Sequence, residues 1–248
     1  MPRYFIEVAY KGNNYAGFQV QDNVLTIQSE VQKALAVFYK EQIPLTGSSR
    51  TDAGVHALQN YFHADVPFLI QQKNIYNLNA LLPRDIAVKN ILQVNNEAHC
   101  RFDAESREYK YYVSGKKNPF ITDRSYFFPY SIDEEKLHEA AATILNYTDF
   151  TSFSKRNTQV KTFICQVLES RWVKEDDCLV YHVKANRFLR GMVRGLTGTM
   201  LQVARGKVTI DDFKKIIESR DCTKADFAVP GHGLFLVQVN YPERVWKK

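Results

Sequence analysis

The first ten residues alternate between two classes of side chain in a way that predicts a β-strand. Tyr4, Ile6, Val8 and Tyr10 occupy every second position, and a period of two places them on one face of an extended chain. The segment Lys11–Asn14 then interrupts the pattern with glycine and asparagine, which favour turns. The chain therefore opens with a strand that a turn ends.

The rest of the first half continues with two helices and two strands. Thr26 is a suitable N-cap for an amphipathic helix that ends before Pro44. A strand pattern over Leu58–Val66 comes next, and a short helix follows that Pro83 stops. Apolar residues dominate Ile86–Val94, which predicts another strand.

The second half repeats this rhythm, since strands are again followed by single helices. The predicted elements are a strand through Tyr109–Val113, a helix opened by a capping box at Ser131–Glu134, a hairpin of Ile164–Lys174 and Leu179–Ala185, a helix over Arg187–Val203, a helix capped by Thr209 and a strand over Leu234–Tyr241. This order favours an α+β fold with two similar sheet-and-helix halves. We place the halves at residues 1–104 and 105–248.

Composition narrows the class of protein. The 248 residues are 45% hydrophobic and 24% charged, which excludes collagen-like and disordered chains. No apolar run is long enough for a membrane span, and the N-terminus shows no secretory leader, so we expect a cytoplasmic protein without a membrane partner. The formal charge of +6 suggests a polyanionic partner, although a merely basic soluble protein has the same balance.

Cysteine and histidine spacing gives no metal motif. The four cysteines, Cys100, Cys165, Cys178 and Cys222, form no C-x-x-C pair, and His56 and His63 are the closest histidines. We therefore predict buried thiols and no metal ligands.

The segment Gly47–Ala57 is the most unusual in the chain. It gathers small residues around Arg50, Asp52 and His56 between a predicted helix and a predicted strand. Small residues let a ligand approach the backbone, and an aspartate can act as a nucleophile when a cation orients it and water is excluded. The alternative is an Asx-turn, with Asp52 bonded to backbone amides and Arg50 in solvent.

A second candidate segment, Asn186–Gly198, combines arginines and glycines. On a continuous helix, Arg187, Arg190 and Arg194 lie within about 60° of one another, with three glycines on the flank. Each glycine costs a helix about 1 kcal/mol relative to alanine, so we expect this face to pack closely against something. A solvated basic face explains the arginines but not the glycines.

Tyr109 and Tyr111 share one face of a predicted strand. A tyrosine in a cleft can stack on a nucleobase or relay a proton. Both side chains can equally well be part of the sheet core.

Six segments together resemble the tRNA pseudouridine synthase A family, in the family's order and across nearly the whole chain. They are Tyr10–Gln19, Ser49–Ala57, Phe102–Tyr111, Asp149–Phe153, Phe188–Arg194 and Gly233–Pro242. The resemblance implies the pseudouridine synthase fold, with two β-sheet halves flanked by helices and a central cleft. It also implies an isomerase that converts uridine to pseudouridine at positions 38, 39 and 40 of the tRNA anticodon stem-loop.

The resemblance assigns roles to five residues of this chain. Asp52 would be the catalytic nucleophile and Arg194 its partner, Tyr109 would stack on the target uracil, Arg50 would help to extrude the nucleotide, and Leu234 would contact the substrate. Family members work as homodimers without cofactor or metal.

Two departures from the family pattern stand out. Serine occupies position 49, where glycine is usual, and Phe227–His232 replaces a run of smaller residues. Two other functions stay open. A non-catalytic RNA-binding protein or tRNA folding chaperone could use the same scaffold, and a nucleoside glycosidase would release free uracil, although it would usually need two carboxylates.

Overall fold

A computed structural model describes residues 1–156 and 160–247 of the chain. The chain divides into two compact units. The first unit comprises Met1–Glu105 and Phe235–Lys248, and the second comprises Ser106–Leu234.

In the first unit, the residues that the structure describes form a mixed sheet and two α-helices. Its elements are β1 (Arg3–Tyr10), α1 (Ile27–Tyr39), β2 (Thr46–Gly47), β3 (His56–Asp65), α2 (Asn74–Leu81), β4 (Ile86–Val94) and β9 (Leu234–Asn240). The strand order is β4-β1-β3-β9, and β2 pairs with β3. The β1 strand is antiparallel to both neighbours, whereas β3 and β9 run parallel.

Most first-half predictions are confirmed. Tyr4, Ile6, Val8 and Tyr10 are all buried on β1, and the predicted bounds of β4 agree with the structure. Thr26 caps α1, because its side chain accepts the main-chain N–H of Ser29 and the Ser29 side chain accepts that of Thr26.

The described residues of the second unit form three α-helices and a smaller, mainly antiparallel sheet. Its elements are β5 (Ser106–Ser114), β6 (Tyr126–Phe127), α3 (Glu134–Ile144), β7 (Val167–Glu175), β8 (Cys178–Ala185), α4 (Met192–Ala204) and α5 (Ile210–Glu218). The strand order is β5-β8-β7, and β6 pairs in parallel with β5. The predicted hairpin is β7–β8, and Thr209 caps α5 as predicted.

The predicted start of α4 is wrong. The helix begins at Met192, so Arg187 and Arg190 precede it and the three arginines do not share a helical face. The Arg190 carbonyl accepts the Lys155 N–H at 3.0 Å, which ties the approach to the helix to a neighbouring loop. Gly191 then occupies the N-cap with φ of 76°, a left-handed conformation that glycine adopts without strain.

The predicted capping box of α3 is also wrong. The N-cap is Asp133, whose side chain accepts the main-chain N–H of Lys136. Serine and aspartate are both preferred at the N-cap, so the local sequence does not distinguish Ser131 from Asp133.

The unit boundary differs from the predicted division in two places, of which the first is Glu105, which belongs to the first unit and not to the second half. The prediction kept the whole C-terminus in the second half, whereas Phe235–Lys248 belongs to the first unit. Phe235 and Leu236 of β9 pair with His56 and Ala57 of β3. Within the described ranges, none of the helices has both the length and the apolarity that a membrane crossing requires.

Candidate active site

The loop that carries Asp52 connects β2 to β3 in the first unit. Asp52 is partly exposed and Arg50 is exposed, whereas Ser49 and Thr51 are buried. The loop is therefore anchored by two residues that flank Arg50, while the charged side chains of Arg50 and Asp52 reach the surface.

Two buried side chains hold this loop from below. The Asn60 amide donates to the Ser49 carbonyl at 2.8 Å and accepts the Ser49 N–H at 3.2 Å. The Tyr10 hydroxyl lies 2.8 Å from the Thr51 hydroxyl and accepts from the Asn60 amide at 3.2 Å. These bonds connect β1, β3 and the loop in one network.

Main-chain bonds complete the loop. The Thr51 carbonyl accepts the Phe18 N–H at 3.1 Å, and the Asp52 carbonyl accepts the Val55 N–H at 3.2 Å. His56, near the end of the motif, is the first residue of β3. Its Nδ1 accepts the Gly12 N–H at 3.1 Å, and its ring stacks on Phe235. The histidine of the motif is thus a buried packing residue.

The base of the loop rests on Cys100. Its carbonyl accepts from the hydroxyls of Ser48 and Tyr241, at 2.7 and 2.5 Å. Its thiol donates to the Thr46 carbonyl at 3.2 Å and lies 3.2 Å from the His63 Nδ1. Cys100 therefore fixes the β2 end of the loop.

One cluster of potential metal ligands occurs in the described part of the chain. The ring nitrogens of His63 and His99 and the Cys100 Sγ lie within 4.8 Å of one another. Sequence spacing did not indicate it, because the residues come from β3 and from the segment after β4. The Nδ1 atoms of His63 and His99 accept main-chain N–H groups of Cys100 and Arg101. Both Nδ1 atoms thus take part in main-chain hydrogen bonds of the segment that follows β4.

Burial keeps the His63 ring neutral. Burial is the largest cause that lowers its pKa, to about 4, and the nearby Arg3 adds to the effect. A neutral imidazole can accept at Nδ1, which is what the bond from the Cys100 N–H requires.

Arg194 lies in the second unit, near the start of α4. Its Nε donates to the Val229 carbonyl at 2.8 Å, and one Nη donates to the Phe227 carbonyl at 3.4 Å. A guanidinium has five N–H donors in a planar fork, so two main-chain acceptors set its plane.

The Asp226–Pro230 segment that supplies these carbonyls packs against the glycines of α4. A Cβ at Gly195 would come within 2.7 Å of the Phe227 ring, and one at Gly198 would collide with the Asp226 carbonyl oxygen. The prediction that the glycine face packs closely is thus confirmed for these two positions. The segment that holds Arg194 overlaps Phe227–His232, where the sequence departs from the pattern of the resemblance.

Asp226 and Tyr111 fix the two ends of this segment. The Asp226 carboxylate accepts from the Gln202 amide at 2.6 Å, and its main-chain N–H donates to Thr199. The Tyr111 hydroxyl donates to the Pro230 carbonyl at 2.7 Å. Burial is the main cause that raises the pKa of Tyr111, and the positive charge of Arg194 opposes it, so the hydroxyl keeps its proton.

Tyr109 and Leu234 are both largely buried in the second unit. Tyr109 is 8% exposed and packs edge to face on Phe188, with ring centroids 5.0 Å apart. Leu234 is 6% exposed and begins β9. The burial of Tyr109 fits the sheet-core interpretation of its strand position, and substrate contact by either residue stays a prediction.

Comparison with known proteins gives the family. A family profile described as tRNA pseudouridine synthase matches residues 140–242. Proteins named tRNA pseudouridine synthase A from Parabacteroides distasonis and Bacteroides thetaiotaomicron are 47% and 46% identical to this chain. These alignments cover 99% and 100% of the chain and 98% and 94% of the relatives. The chain belongs to the tRNA pseudouridine synthase A family.

A more distant member of the family supports the same assignment. The protein of that name from Staphylococcus aureus is 36% identical over 97% of this chain and 91% of its own length. The predicted family, the α+β fold and the class of enzyme, an isomerase, are confirmed. The roles of the individual site residues are not tested by these comparisons.

Sequence reasoning missed Asn60 as a support of the Asp52 loop, and it did not give Tyr111 its observed role of holding the Pro230 carbonyl. Asn60 is a polar residue within a strand that otherwise buries Tyr61, Phe62 and Ala64 on its two faces. A polar side chain at a buried strand position needs hydrogen-bond partners, and that signal was available in the sequence. Nothing in the sequence pattern distinguishes Tyr111 from the other tyrosines of β5.

Proposed function

We propose that this chain converts uridine to pseudouridine in tRNA, at positions 38, 39 and 40 of the anticodon stem-loop, with Asp52 as nucleophile. The observation that carries the proposal is the Asp52 loop, where a partly exposed carboxylate lies on a segment that buried hydrogen bonds hold in place. The names of the relatives give tRNA and pseudouridine as substrate and product.

The reaction explains why one carboxylate is enough. The N1–C1′ bond of the nucleoside breaks, the uracil turns, and C5 bonds to C1′. The C5 proton leaves to solvent and N1 gains a proton, so the conversion consumes no water and needs no oxidant or reductant. A single carboxylate can hold the sugar or the base covalently while the ring turns.

The other residues serve orientation and access. Arg194 pairs with the Asp52 carboxylate, and its main-chain acceptors keep its guanidinium in one plane. A paired uridine must leave its stack at a cost of a few kcal/mol, and the exposed Arg50 occupies the vacated space. Tyr109 stacks on the extruded uracil, and Leu234 contacts it.

The proposal extends to assembly and location. We expect the chain to work as a homodimer in the cytoplasm and to bind tRNA largely through phosphate contacts, given its charge of +6. Binding should weaken steeply between low and moderate salt. Sedimentation of the purified protein reports the dimer, and a salt series of tRNA binding reports the phosphate contacts.

The test is release of tritium from tRNA labelled at uracil C5. Asp52→Asn should lower the rate at least about 1,000-fold, the scale on which enzymes lose activity with their nucleophile. Asp211→Asn is the matched control, since that side chain is 82% exposed on α5, and it should keep the wild-type rate.

Each other outcome identifies a different function. Full release by Asp52→Asn would remove the nucleophile assignment. Tight tRNA binding without release by the wild type would indicate the non-catalytic RNA-binding protein. Free uracil among the products would indicate a glycosidase.

A further inference from the structure

Asn60 is a fully satisfied buried amide beneath the Asp52 loop. Its side chain is completely buried. Its Nδ2 donates to the Ser49 carbonyl and to the Tyr10 hydroxyl, and its Oδ1 accepts the N–H groups of Ser49 and Tyr61. Two donors and two acceptor lone pairs are all that a carboxamide has, so every hydrogen-bonding position of the side chain is used.

These bonds fix the residues before and after Arg50. Asn60 holds both main-chain groups of Ser49, and Tyr10 holds the hydroxyl of Thr51 at 2.8 Å. Thr51 is the immediate neighbour of Asp52, so the main chain enters Asp52 from an anchored residue. The partly exposed carboxylate therefore extends from a main chain that buried hydrogen bonds hold in place.

The arrangement supports the main chain of Ser49 specifically. An apolar residue at position 60 would be buried like its neighbours Tyr61 and Phe62, but it would leave the N–H and the carbonyl of the buried Ser49 without these partners. A buried polar network is worth keeping where it specifies one geometry. The geometry specified here is that of Ser49 and Thr51.

We propose that Tyr10 and Asn60 are positioning residues for Asp52, which set the orientation of its carboxylate through the flanking residues Ser49 and Thr51. The proposal rests on the proposed function, because it assigns the network a part in the reaction of Asp52. Neither side chain touches the reacting atoms in this account.

The first experiment compares two asparagines. Asn60→Leu should lower kcat for tritium release about 10- to 100-fold, the range expected for a misplaced reacting group, with KM for tRNA within about twofold. Asn79→Leu is the matched control. The Asn79 amide also makes two bonds to the main chain, at 3.0 and 2.8 Å to Val88, but it lies on α2, so its loss should reduce stability and leave kcat unchanged.

The second experiment uses a smaller change in case Asn60→Leu does not fold. Thr51→Val removes the hydroxyl that contacts Tyr10 at nearly constant shape, and Thr51→Ser keeps it. Thr51→Val and Tyr10→Phe should both lower kcat, and Thr51→Ser should restore it to within about threefold of wild type. Urea unfolding of the same variants separates this effect on kcat from a general loss of stability.

A third measurement does not depend on activity. Amide hydrogen exchange over residues 48–54 should accelerate at least about tenfold in Asn60→Leu and stay at the wild-type rate in Asn79→Leu. Unchanged exchange together with unchanged kcat in Asn60→Leu or, if that variant does not fold, in Tyr10→Phe would overturn the positioning role. Failure of the wild type to release tritium would instead overturn the proposed function, and the exchange result would still show whether the network orders the loop.

Discussion

The Asp52 loop of the first unit and the Arg194 side chain of the second unit are held by different kinds of partner. The Asp52 loop is held by side chains, since Tyr10, Asn60 and Ser48 bond to the loop or to its base. Arg194 is held by main-chain carbonyls of the Asp226–Pro230 segment, which the glycines of α4 allow to come close. Deleting a side-chain hydroxyl or amide should therefore weaken the loop, whereas adding a methyl group at a glycine of α4 should displace the carbonyls that hold Arg194.

The largest effect should come from Gly198→Ala. The new methyl group would collide with the Asp226 carbonyl oxygen. Overpacking of this kind costs about 1–3 kcal/mol, and alanine regains about 1 kcal/mol of helix propensity. Because the collision is with a main-chain atom, we expect a net loss near the upper limit that these figures allow, up to about 2 kcal/mol in urea unfolding. Tritium release should also slow, because the carbonyls that hold Arg194 move.

Gly115→Ala is the control for that variant. A Cβ at Gly115 meets nothing within 4 Å, so stability should change by less than about 0.5 kcal/mol. Equal losses at the two glycines would contradict the close-packing account of α4.

Tyr111→Phe should have the next largest effect. It removes the bond to the Pro230 carbonyl at 2.7 Å and leaves a partly buried acceptor without this donor. We expect a loss of about 1–2 kcal/mol in the free energy of unfolding. Tyr147→Phe is the control, since Tyr147 bonds to Glu218 near the surface and its loss should be within about 0.5 kcal/mol. A similar loss in both variants would argue against a special role for the Pro230 anchor.

Ser48→Ala should destabilise the loop base by a smaller amount. Its hydroxyl donates to the Cys100 carbonyl and accepts from Tyr241 at 3.0 Å. Tyr241 keeps its own bond to the Cys100 carbonyl, so we expect a loss of about 1 kcal/mol in thermal or urea unfolding. No measurable loss would show that the side-chain support of the loop is dispensable at this end.

Ser49→Ala should have the smallest effect, in the opposite direction. Among the described residues, the buried Ser49 hydroxyl has no hydrogen-bond partner, whereas its main-chain groups are held by Asn60. Removing it relieves a desolvated group, and we expect a gain of a few tenths of a kcal/mol. A loss as large as that of Ser48→Ala would show that the hydroxyl does bond in the folded protein.

Local patterns predicted most of the fold. The alternation of β1, the caps at Thr26 and Thr209 and the breaker Pro83 each act within a few residues, so the sequence shows them directly. The start of α4 was missed because it depends on the left-handed Gly191 and on the bond between Lys155 and Arg190. Periodicity does not reveal a backbone conformation that a distant loop helps to fix.

The site was predictable in its motif but not in its supports. The resemblance singled out Asp52, and burial and bonding identify Asn60 and Tyr10 beneath it. The contacts of Asn60 with Ser49 and of Cys100 with Ser48 join segments 11 and 52 residues apart. Contacts between segments this far apart depend on which strands lie side by side, and the pattern of hydrophobic and polar residues does not specify that.

The return of the last strand to the first unit sets the order in which the protein can be completed during synthesis. The β9 strand pairs with β3 directly after the Asp52 loop, and Trp246 packs on Phe5 and Tyr241. At the usual 5–20 residues per second, translation of Ser106–Leu234 takes on the order of 10 s. During that interval the nascent chain carries β3 without its parallel neighbour, so the main-chain groups of His56 and Ala57 are open to pairing with other chains.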